Sequence, residues 1–420
     1  MDKIAFVVVR YGKDINGGAE FHCKMLAERL VNRYKVEVLT TCVKNYVTGD
    51  NEFPEGEECI NGVLVRRFKA DPINKEKHYS YVRGTKRARK WRKLFYKLHL
   101  LTPISIFYPI WTYKYKVEID MLKSNVFYSS SLFSFIKEHK EDYKAIIPIS
   151  LDYPHMYYTA LYAPKKTLVI PTMHYHDISF RPILTQIFTK VAYIGFNTHA
   201  EEKLGKRIFG PAIAPHGIIS VGIDMASPAE WSTVNAKYQL PTEYLLYVGR
   251  VDRTKLHHIF NDFITYKQMY PDSKLKLVLV GGLFTEPFVH PDIVYTGFVS
   301  EAEKTAIIQH AKIIINPSKY ESLSLILLEA MSLKKAVLVN GLCNVLKEHY
   351  KKSKHATLAY FNRKDFIGKL HKIDSSEKLR TKMGERGAIY VQENYNWDLI
   401  LERITNSIEY IDRKNDRHSL

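Results

Sequence analysis

The chain has 420 residues, too many for a single hydrophobic core, so its length predicts two domains of ordinary size. Its composition, 46% hydrophobic and 25% charged, is typical of a globular protein and excludes wholesale disorder. The four cysteines form no C-x-x-C pair, which argues against a disulfide framework or a zinc site and favours a reducing compartment. The short apolar run before Arg10 predicts a buried first strand and lacks the longer stretch of a signal peptide.

The formal net charge of +18 is concentrated in one segment with no acidic residue. Its ten cations are Arg83, Lys86, Arg87, Arg89, Lys90, Arg92, Lys93, Lys97, Lys114 and Lys116. They flank the apolar and aromatic residues 98–111, which two prolines interrupt and which are too few to span a bilayer. Such an insert, near residues 75–120, is suited to anionic lipid headgroups. The alternative is a solvated basic helix with its apolar face packed on the domain. Because no known nucleic-acid-binding motif is present, we expect no nucleic-acid partner.

Strands and helices alternate through the first half. We predict a helix at residues 18–32 and strands at residues 3–9, 35–41, 63–68, 145–149, 167–170 and 192–196. Short apolar runs bounded by turns and separated by helical patterns imply parallel, doubly wound sheets.

The second half repeats this alternation. We predict strands at residues 244–248, 275–280, 312–315 and 336–339, helices at residues 256–269 and 301–310, and two long helical patterns within residues 375–413. Residues 211–241, rich in Pro, Gly, Ser and Ala, are the predicted linker. The predicted fold is therefore α/β with two doubly wound domains, residues 1–215 and 216–395, and a last helix at residues 396–420. Two such domains facing each other would bind ligands at the carboxyl ends of their strands.

Two carboxylates, Glu321 and Glu329, lie on either side of a predicted helix start near Leu323. The exposed amides and positive dipole end of a helix favour phosphate oxygens. Two carboxylates would repel a phosphate unless they bind hydroxyl groups on either side of it, and a nucleotide-sugar has that layout of ribose, diphosphate and sugar. The alternative is that one Glu accepts hydrogen bonds from backbone amides at the helix start and the other Glu lies on a solvent-exposed face of the helix.

Two more loops follow predicted strands. Gly17 and Gly18 precede a helix, where paired glycines allow close backbone approach and the amides can take an anion. The alternative is a glycine turn that tightens the connection. Arg250 and Lys255 follow the first strand of the second half. Two fixed cations there would stabilise charge growing on a leaving diphosphate, although either could be an ordinary surface residue.

Three motifs in this order, each at a strand-to-helix junction, resemble the retaining GT-B glycosyltransferases of family four. They are Gly-Gly-Ala-Glu after the first strand, Gly-Arg-x-x-x-x-Lys after the linker, and Glu-x7-Glu. The resemblance covers nearly the whole chain, including Trp397 in a closing Tyr-Asn-Trp pattern, where the family's last helix crosses back onto the first domain. It implies the GT-B fold, with two Rossmann-like domains facing across a cleft, and sugar transfer from a nucleotide-sugar.

The resemblance also implies residue roles. Arg250 and Lys255 would bind the donor diphosphate, Glu321 would contact the transferred sugar, and Glu329 would hold the ribose hydroxyls. The other donor-binding positions are Gly17, Gly18, Gly249, Val299 and the amides of Ser322, Leu323 and Ser324. In the family's front-face reaction a donor phosphate oxygen takes the acceptor's proton, so no protein base is required. The chain has no Asp-x-Asp, and we expect neither a metal nor another cofactor.

Relatives often place a His of the first domain beside the transferred sugar. One predicted strand is followed by Asp152 and His155, and the next by His174 and His176. We favour His174 as the catalytic residue, with the other three as acceptor-side candidates. Histidines at strand ends commonly serve as hydrogen-bonding residues of a cleft, but a lone His is as often structural.

The chain departs from the family pattern in two places. Many relatives carry Glu-Gly-Phe-Gly where this chain has Glu321-Ser322-Leu323-Ser324, which keeps the amide donors but changes the fit around the sugar. Lys334-Lys335-Ala336-Val337 stands where Gly-x-Pro-Val is common, and this change affects a turn.

We therefore predict a retaining, metal-independent glycosyltransferase that uses a UDP- or GDP-sugar. Its predicted acceptor is a lipid-linked glycan of bacterial surface polysaccharide synthesis (O-antigen, capsule or exopolysaccharide). The predicted location is cytoplasmic, peripheral at the inner face of the cell membrane. Two alternatives stay open: an enzyme that glycosylates a protein or a soluble small molecule, and a catalytically silent GT-B subunit that binds a partner. The four residues Arg250, Lys255, Glu321 and Glu329 argue against a silent subunit, which has no reason to keep them all.

Overall fold

The computed structural model describes residues 1–13, 15, 17–252, 256 and 258–416. The chain forms two compact units: unit 1 comprises Met1–Val221 and Asp398–Leu420, and unit 2 comprises Gly222–Trp397. The chain passes from unit 1 to unit 2 between Val221 and Gly222. This position lies a few residues after the predicted boundary at residue 215, within the segment predicted as a linker.

Unit 1 contains a five-stranded sheet in the order β3-β4-β2-β1-β5 and a three-stranded sheet in the order β6-β7-β8. The strands are β1 Lys3–Val7, β2 Lys35–Thr41, β3 Gly56–Ile60, β4 Val63–Phe68, β5 Ala145–Pro148, β6 Leu168–Val169, β7 Tyr193–Phe196 and β8 His216–Ile218. All pairs are parallel except the hairpin of β3 and β4. Because the order reverses at β1, the carboxyl ends of β1 and β5 flank a topological switch point, where open α/β sheets bind ligands.

The helices of unit 1 pack an aliphatic and aromatic core against these sheets. They are α1 Gly18–Leu30, α2 Lys75–Lys97, α3 Leu101–Phe107, α4 Tyr115–Lys123, α5 Ser130–His139, α6 Pro154–Tyr162, α7 Leu184–Phe188 and α8 His199–Phe209. Strand β5 is apolar along its whole length, and β1 is apolar after Lys3, because helices can cover both faces of a parallel sheet.

Unit 2 contains one parallel six-stranded sheet in the order β11-β10-β9-β12-β13-β14. Its strands are β9 Tyr244–Val248, β10 Lys276–Val280, β11 Ile293–Gly297, β12 Ile313–Asn316, β13 Val337–Asn340 and β14 Thr357–Tyr360. Its helices are α9 Trp231–Tyr238, α10 Ile259–Met269, α11 Glu301–His310, α12 Leu325–Ser332, α13 Asn344–Lys352, α14 Arg363–Asp374 and α15 Glu377–Asn394. Counted within the unit, the strand order is 3-2-1-4-5-6, the dinucleotide-binding arrangement, and its switch point lies between β9 and β12.

The last helix, α16 Trp397–Asp416, begins in unit 2 and continues in unit 1. Within unit 1 the Lys144 ammonium contacts the carboxylates of Glu409 and Asp412 at 2.9 and 3.1 Å. The guanidinium of Arg33 donates to the Thr405 hydroxyl at 3.1 Å. These polar contacts, together with the buried isoleucines of α16, fix the helix on unit 1.

The predicted strands 35–41, 63–68 and 244–248 and the predicted helix 301–310 are confirmed at both ends. The linker prediction was wrong at residues 216–218, which form β8, and at residues 231–238, which form α9. This helix is too short for a readable period, and the ring of its Trp231 stacks on His310 of α11 at 3.7 Å. The strand β3 was not predicted because four of its five residues are exposed and give no apolar signal.

Candidate functional site

The turn after β9 places Arg250 at the switch point of unit 2. Gly249 has a φ of 147°, a conformation that side chains other than glycine rarely adopt, and its carbonyl leaves no room for a Cβ at Gly281. The Tyr247 hydroxyl donates to the Arg250 carbonyl at 2.8 Å, and the Arg250 guanidinium pairs with the Asp252 carboxylate. The Arg250 side chain is 48% exposed, so a bound anion can reach it. The other predicted cation, Lys255, lies outside the described residues.

The turn after β12 is held by short polar contacts between its own residues. The Asn316 side-chain amide donates to the Ser324 hydroxyl at 2.8 Å, and the Ser318 amide donates to the Asn316 side-chain oxygen at 3.0 Å. Ser324 immediately precedes α12 and has φ and ψ of 74° and 76°, in the left-handed region. Glu321 and Ser322 are half-buried in this turn, whereas Leu323 is buried.

The Tyr247 side chain lies near charged groups of both turns, those of Arg250 and Glu321. Burial raises the pKa of the Tyr247 hydroxyl; the neighbouring carboxylates of Glu321 and Asp252 raise it further, and Arg250 lowers it. The charged groups of the two turns therefore lie within electrostatic reach of the same side chain at the carboxyl ends of β9 and β12. A fixed cation and a carboxylate at a switch point can bind an anion and a hydroxyl group of one ligand.

Glu329 lies inside α12, buried, and forms an ion pair with Lys304 of α11 at 3.0 Å. Burial raises the pKa of the Glu329 carboxyl, and the nearby Lys304 ammonium opposes that shift. Lys304 also contacts Glu301 at 2.7 Å. A hydroxyl group that binds the Glu329 carboxylate would therefore share it with Lys304. The sequence did not indicate this partner.

Val299, the predicted donor-binding residue of the next loop, is half-buried between β11 and α11. The Gly281 amide donates to the Gly297 carbonyl at 2.8 Å, which ties the carboxyl ends of β10 and β11 together. Gly297 has a φ of 71°, so the chain turns sharply just before Val299. All described donor-side candidates of unit 2 therefore follow β9, β11 or β12 or lie in α12.

In unit 1, Gly17 and Gly18 lie at the start of α1, at the switch point between β1 and β5. A Cβ on Gly17 would overlap the Glu20 carboxylate, whereas a Cβ on Gly18 would meet no atom within 4 Å. The Glu20 carboxylate accepts from the Arg10 guanidinium at 2.6 and 2.9 Å. The atoms nearest to a Cβ at position 17 thus belong to the chain's own Glu20, whose flexible side chain can shift.

The catalytic candidate His174 and the acceptor-side candidates Asp152 and His176 lie near one another in unit 1. Burial raises the pKa of Asp152, and the neighbouring His174, Arg181 and His176 oppose that shift. The rings of His174 and His176 are 5.8 Å apart. Arg181, a buried cation of this group, was not predicted.

His155 lies apart from this group in the core of unit 1. Its ring is buried and donates from Nε2 to the Ile149 carbonyl at 2.6 Å. Burial lowers the pKa of His155 to about 4, so the ring is neutral. We interpret His155 as a packing residue and leave it out of the proposed acceptor side.

Glu201 fixes the loop that carries His174. Its buried carboxylate accepts from the backbone amides of Met173 and Asn197, and burial raises its pKa to about 8. Thr172 in the same loop has a φ of 49°, a left-handed conformation that is uncommon outside glycine and often marks functional loops. A Glu in the first turn of a helix gave no sequence signal for this contact with a distant loop.

The basic insert folds as α2, α3 and α4, and its cations differ in how far they are buried. Arg89 and Arg92 are buried, and Lys93 forms an ion pair with Asp177 at 2.6 Å. The other seven cations are exposed. Exposed apolar side chains accompany them: Trp91, Leu94, Leu98, Ile106, Phe107 and Tyr108. We call these seven cations and six apolar residues the insert surface. Within the described residues, no helix is long and apolar enough to cross a membrane.

One family model matches most of unit 2. Residues 236–389 match the family model described as glycosyl transferases group 1. This range contains Arg250, Glu321, Glu329 and Val299. A search of curated proteins finds no match to the chain.

Solved structures match nearly the whole chain. Sucrose-phosphate synthase from Thermosynechococcus elongatus has 15% identity and a TM-score of 0.66 over 97% of this chain and 98% of its own. A trehalose-6-phosphate structure from E. coli bound with UDP-2-fluoro glucose has 10% identity and a TM-score of 0.65 over 97% and 99%. WaaG, a glycosyltransferase involved in lipopolysaccharide biosynthesis, has 13% identity and a TM-score of 0.61 over 95% and 98%. These matches confirm the α/β class and the GT-B fold with two Rossmann-like domains, and the family match supports a glycosyltransferase.

Proposed function

We propose that the protein is a retaining, metal-independent glycosyltransferase of family four whose unit 2 binds a UDP- or GDP-sugar. The observation that carries this proposal is that Arg250, paired with Asp252, and Glu321 follow the neighbouring strands β9 and β12 at the switch point of a 3-2-1-4-5-6 sheet. This site lies within the range that matches group 1 glycosyl transferases. Among the described residues, no group of three or more His, Cys, Asp or Glu could hold a metal ion.

In the proposed reaction the donor diphosphate lies at the start of α12, where helix amides and the dipole favour an anion. Arg250, with Lys255, neutralises the charge that grows on the diphosphate as its bond to the anomeric carbon breaks. The acceptor oxygen forms its bond on the same face, and its proton passes to a donor phosphate oxygen. Glu321 binds a hydroxyl of the transferred sugar, and Glu329, beside Lys304, binds the ribose. His174 is the proposed catalytic residue of unit 1.

A thermal-shift panel of nucleoside diphosphates and their sugars tests the donor site. We expect one base to stabilise the protein selectively, because a ligand at 100 times its Kd adds about 2.7 kcal/mol to the free energy of unfolding. Each free nucleoside serves as the control, since it lacks the diphosphate. Equal or absent shifts for every nucleoside diphosphate in the panel would contradict the proposed function.

The proposed acceptor is a lipid-linked glycan of bacterial surface polysaccharide synthesis, reached at the cytoplasmic face of the membrane. The insert surface supports this proposal, since exposed aromatic residues and cations together favour anionic lipid headgroups. WaaG, which has a similar fold, is described as involved in lipopolysaccharide biosynthesis.

Sedimentation with anionic vesicles tests the insert surface. Changing Arg83, Lys86, Arg87 and Lys90 to Gln is expected to weaken binding at low salt roughly 100-fold or more, because each surface cation contributes about 1 kcal/mol. The control changes four exposed lysines of unit 2 to Gln, namely Lys364, Lys372, Lys378 and Lys382. Equal binding by the two variants would exclude the insert surface as the membrane contact.

A soluble acceptor is the second candidate, because the sucrose-phosphate synthase with this fold is named for a soluble product. One result would favour a soluble acceptor over a lipid-linked one: the wild-type protein binds the donor in the thermal-shift panel but does not sediment with anionic vesicles. The insert surface would then be a solvated face of unit 1.

A further inference from the structure

A buried histidine lies directly beneath the turn that precedes α12. His349 of α13 has no exposed surface, and its Nε2 is 2.8 Å from the Leu323 carbonyl oxygen. Its Nδ1 is 3.0 Å from the hydroxyl of Tyr390 on α15. The ring thus connects the turn after β12 to two other elements of unit 2.

The two hydrogen bonds have defined directions. A carbonyl oxygen can only accept, so Nε2 carries the proton and donates to Leu323. In a neutral ring Nδ1 is then an acceptor, and the Tyr390 hydroxyl donates to it. Burial lowers the pKa of His349 to about 4, which keeps the ring neutral at ordinary pH. Tyr390 therefore selects the tautomer that holds the turn.

The direction of the Leu323 carbonyl decides where the next amide points. In a planar trans peptide the C=O of Leu323 and the N–H of Ser324 point in opposite directions. Because His349 holds the carbonyl toward the interior, the Ser324 N–H points away from it. Within the described part of the chain this N–H has no acceptor. Ser324 also has a left-handed φ of 74°, which side chains disfavour, so the turn needs such contacts to keep its shape.

We propose that His349 is a positioning residue, which fixes the Leu323 peptide so that the Ser324 amide faces the donor diphosphate. This inference rests on the proposed function, because it takes the start of α12 to be the diphosphate site. Asn316, which donates to the Ser324 hydroxyl, holds the same turn from the β12 side. His349 itself does not touch the donor.

Two substitutions separate positioning from packing. In His349→Gln the amide nitrogen replaces Nε2 and can still donate to Leu323. In His349→Asn the shorter side chain reaches Tyr390 but not Leu323. We expect His349→Asn to raise the Kd of the stabilising nucleoside diphosphate about 10-fold and to leave the Kd of the free nucleoside unchanged. His349→Gln is expected to stay within about 3-fold of wild type for both ligands.

The measurement is ligand titration of each folded variant, with thermal unfolding recorded in parallel. A further variant, Tyr390→Phe, removes the donor to Nδ1 and is expected to weaken diphosphate binding in the same direction but less. Equal weakening of nucleoside and nucleoside diphosphate, or no rescue by Gln, would overturn the positioning role. If the wild-type protein binds no nucleoside diphosphate, the proposed function fails instead.

Discussion

Replacing Arg250 with Ala is expected to lower kcat for sugar transfer roughly 100- to 1,000-fold, the usual loss when one group that stabilises developing charge is removed. Arg250 lies at the switch point of unit 2, next to Asp252 and the same phenol as Glu321. Its half-exposed side chain contributes little to the core, so the variant is expected to unfold within a few degrees of wild type. The check is kcat at saturating donor, together with the melting temperature.

Arg363→Ala is the matched control for that prediction. Arg363 is 54% exposed and pairs with Asp262 at 2.6 Å, much as Arg250 pairs with Asp252, but it follows the edge strand β14. We expect its kcat to stay within about 2-fold of wild type, since a surface ion pair contributes at most about 1 kcal/mol. Equal losses in the two variants, or sugar transfer that survives the loss of Arg250, would contradict the assigned role of Arg250.

Glu321→Gln is expected to lower kcat/KM for the sugar nucleotide about 10- to 100-fold, because a hydrogen bond to a charged group contributes about 1.5–3 kcal/mol. The proposed partner of Glu321 is the transferred sugar. The affinity for the nucleoside diphosphate, which lacks that sugar, is therefore expected to stay unchanged. Steady-state kinetics and titration of both ligands provide the check.

Glu377→Gln serves as the control, since Glu377 is an exposed carboxylate in the first turn of α15. It is expected to leave kcat/KM and both affinities unchanged. The assignment of Glu321 to the sugar would be wrong if the Glu321 variant lost nucleoside diphosphate binding as strongly as it lost turnover.

The parallel sheets and the two junctions of unit 2 were readable from the sequence because their signals are local. An apolar run of four to seven residues followed by a turn and a helical pattern predicts a strand and the side chains at its carboxyl end. Since those ends meet at one edge of a parallel sheet, Arg250 and Glu321 could be expected near each other before the structure was known.

The supporting contacts were not readable, because they join residues that are far apart in the chain. Lys304 of α11 pairs with Glu329 of α12. His349 of α13 contacts the Leu323 carbonyl, which lies just before α12. Neither Lys304 nor His349 belongs to a local motif. A His or a Lys within a helical pattern carries no local signal in the sequence. Tertiary packing brings His349 to the Leu323 carbonyl and Lys304 to Glu329.

Ser324 shows how a departure from a family pattern can gain a physical meaning. The sequence showed a Ser where many relatives have Gly, and from it we expected only a changed fit around the sugar. The structure places this Ser in the left-handed region, where glycine is unstrained and other residues cost about 1–2 kcal/mol. The hydrogen bond from Asn316 offsets part of that cost.

The proposed function places the donor diphosphate at the switch point of unit 2. A crystal structure with the nucleoside diphosphate selected by the thermal-shift panel tests it most directly. We expect diphosphate density at the start of α12, about 3 Å from the Ser324 amide and the Arg250 guanidinium. Density elsewhere, for example in the groove lined by Tyr270, Lys312 and His371, would contradict it.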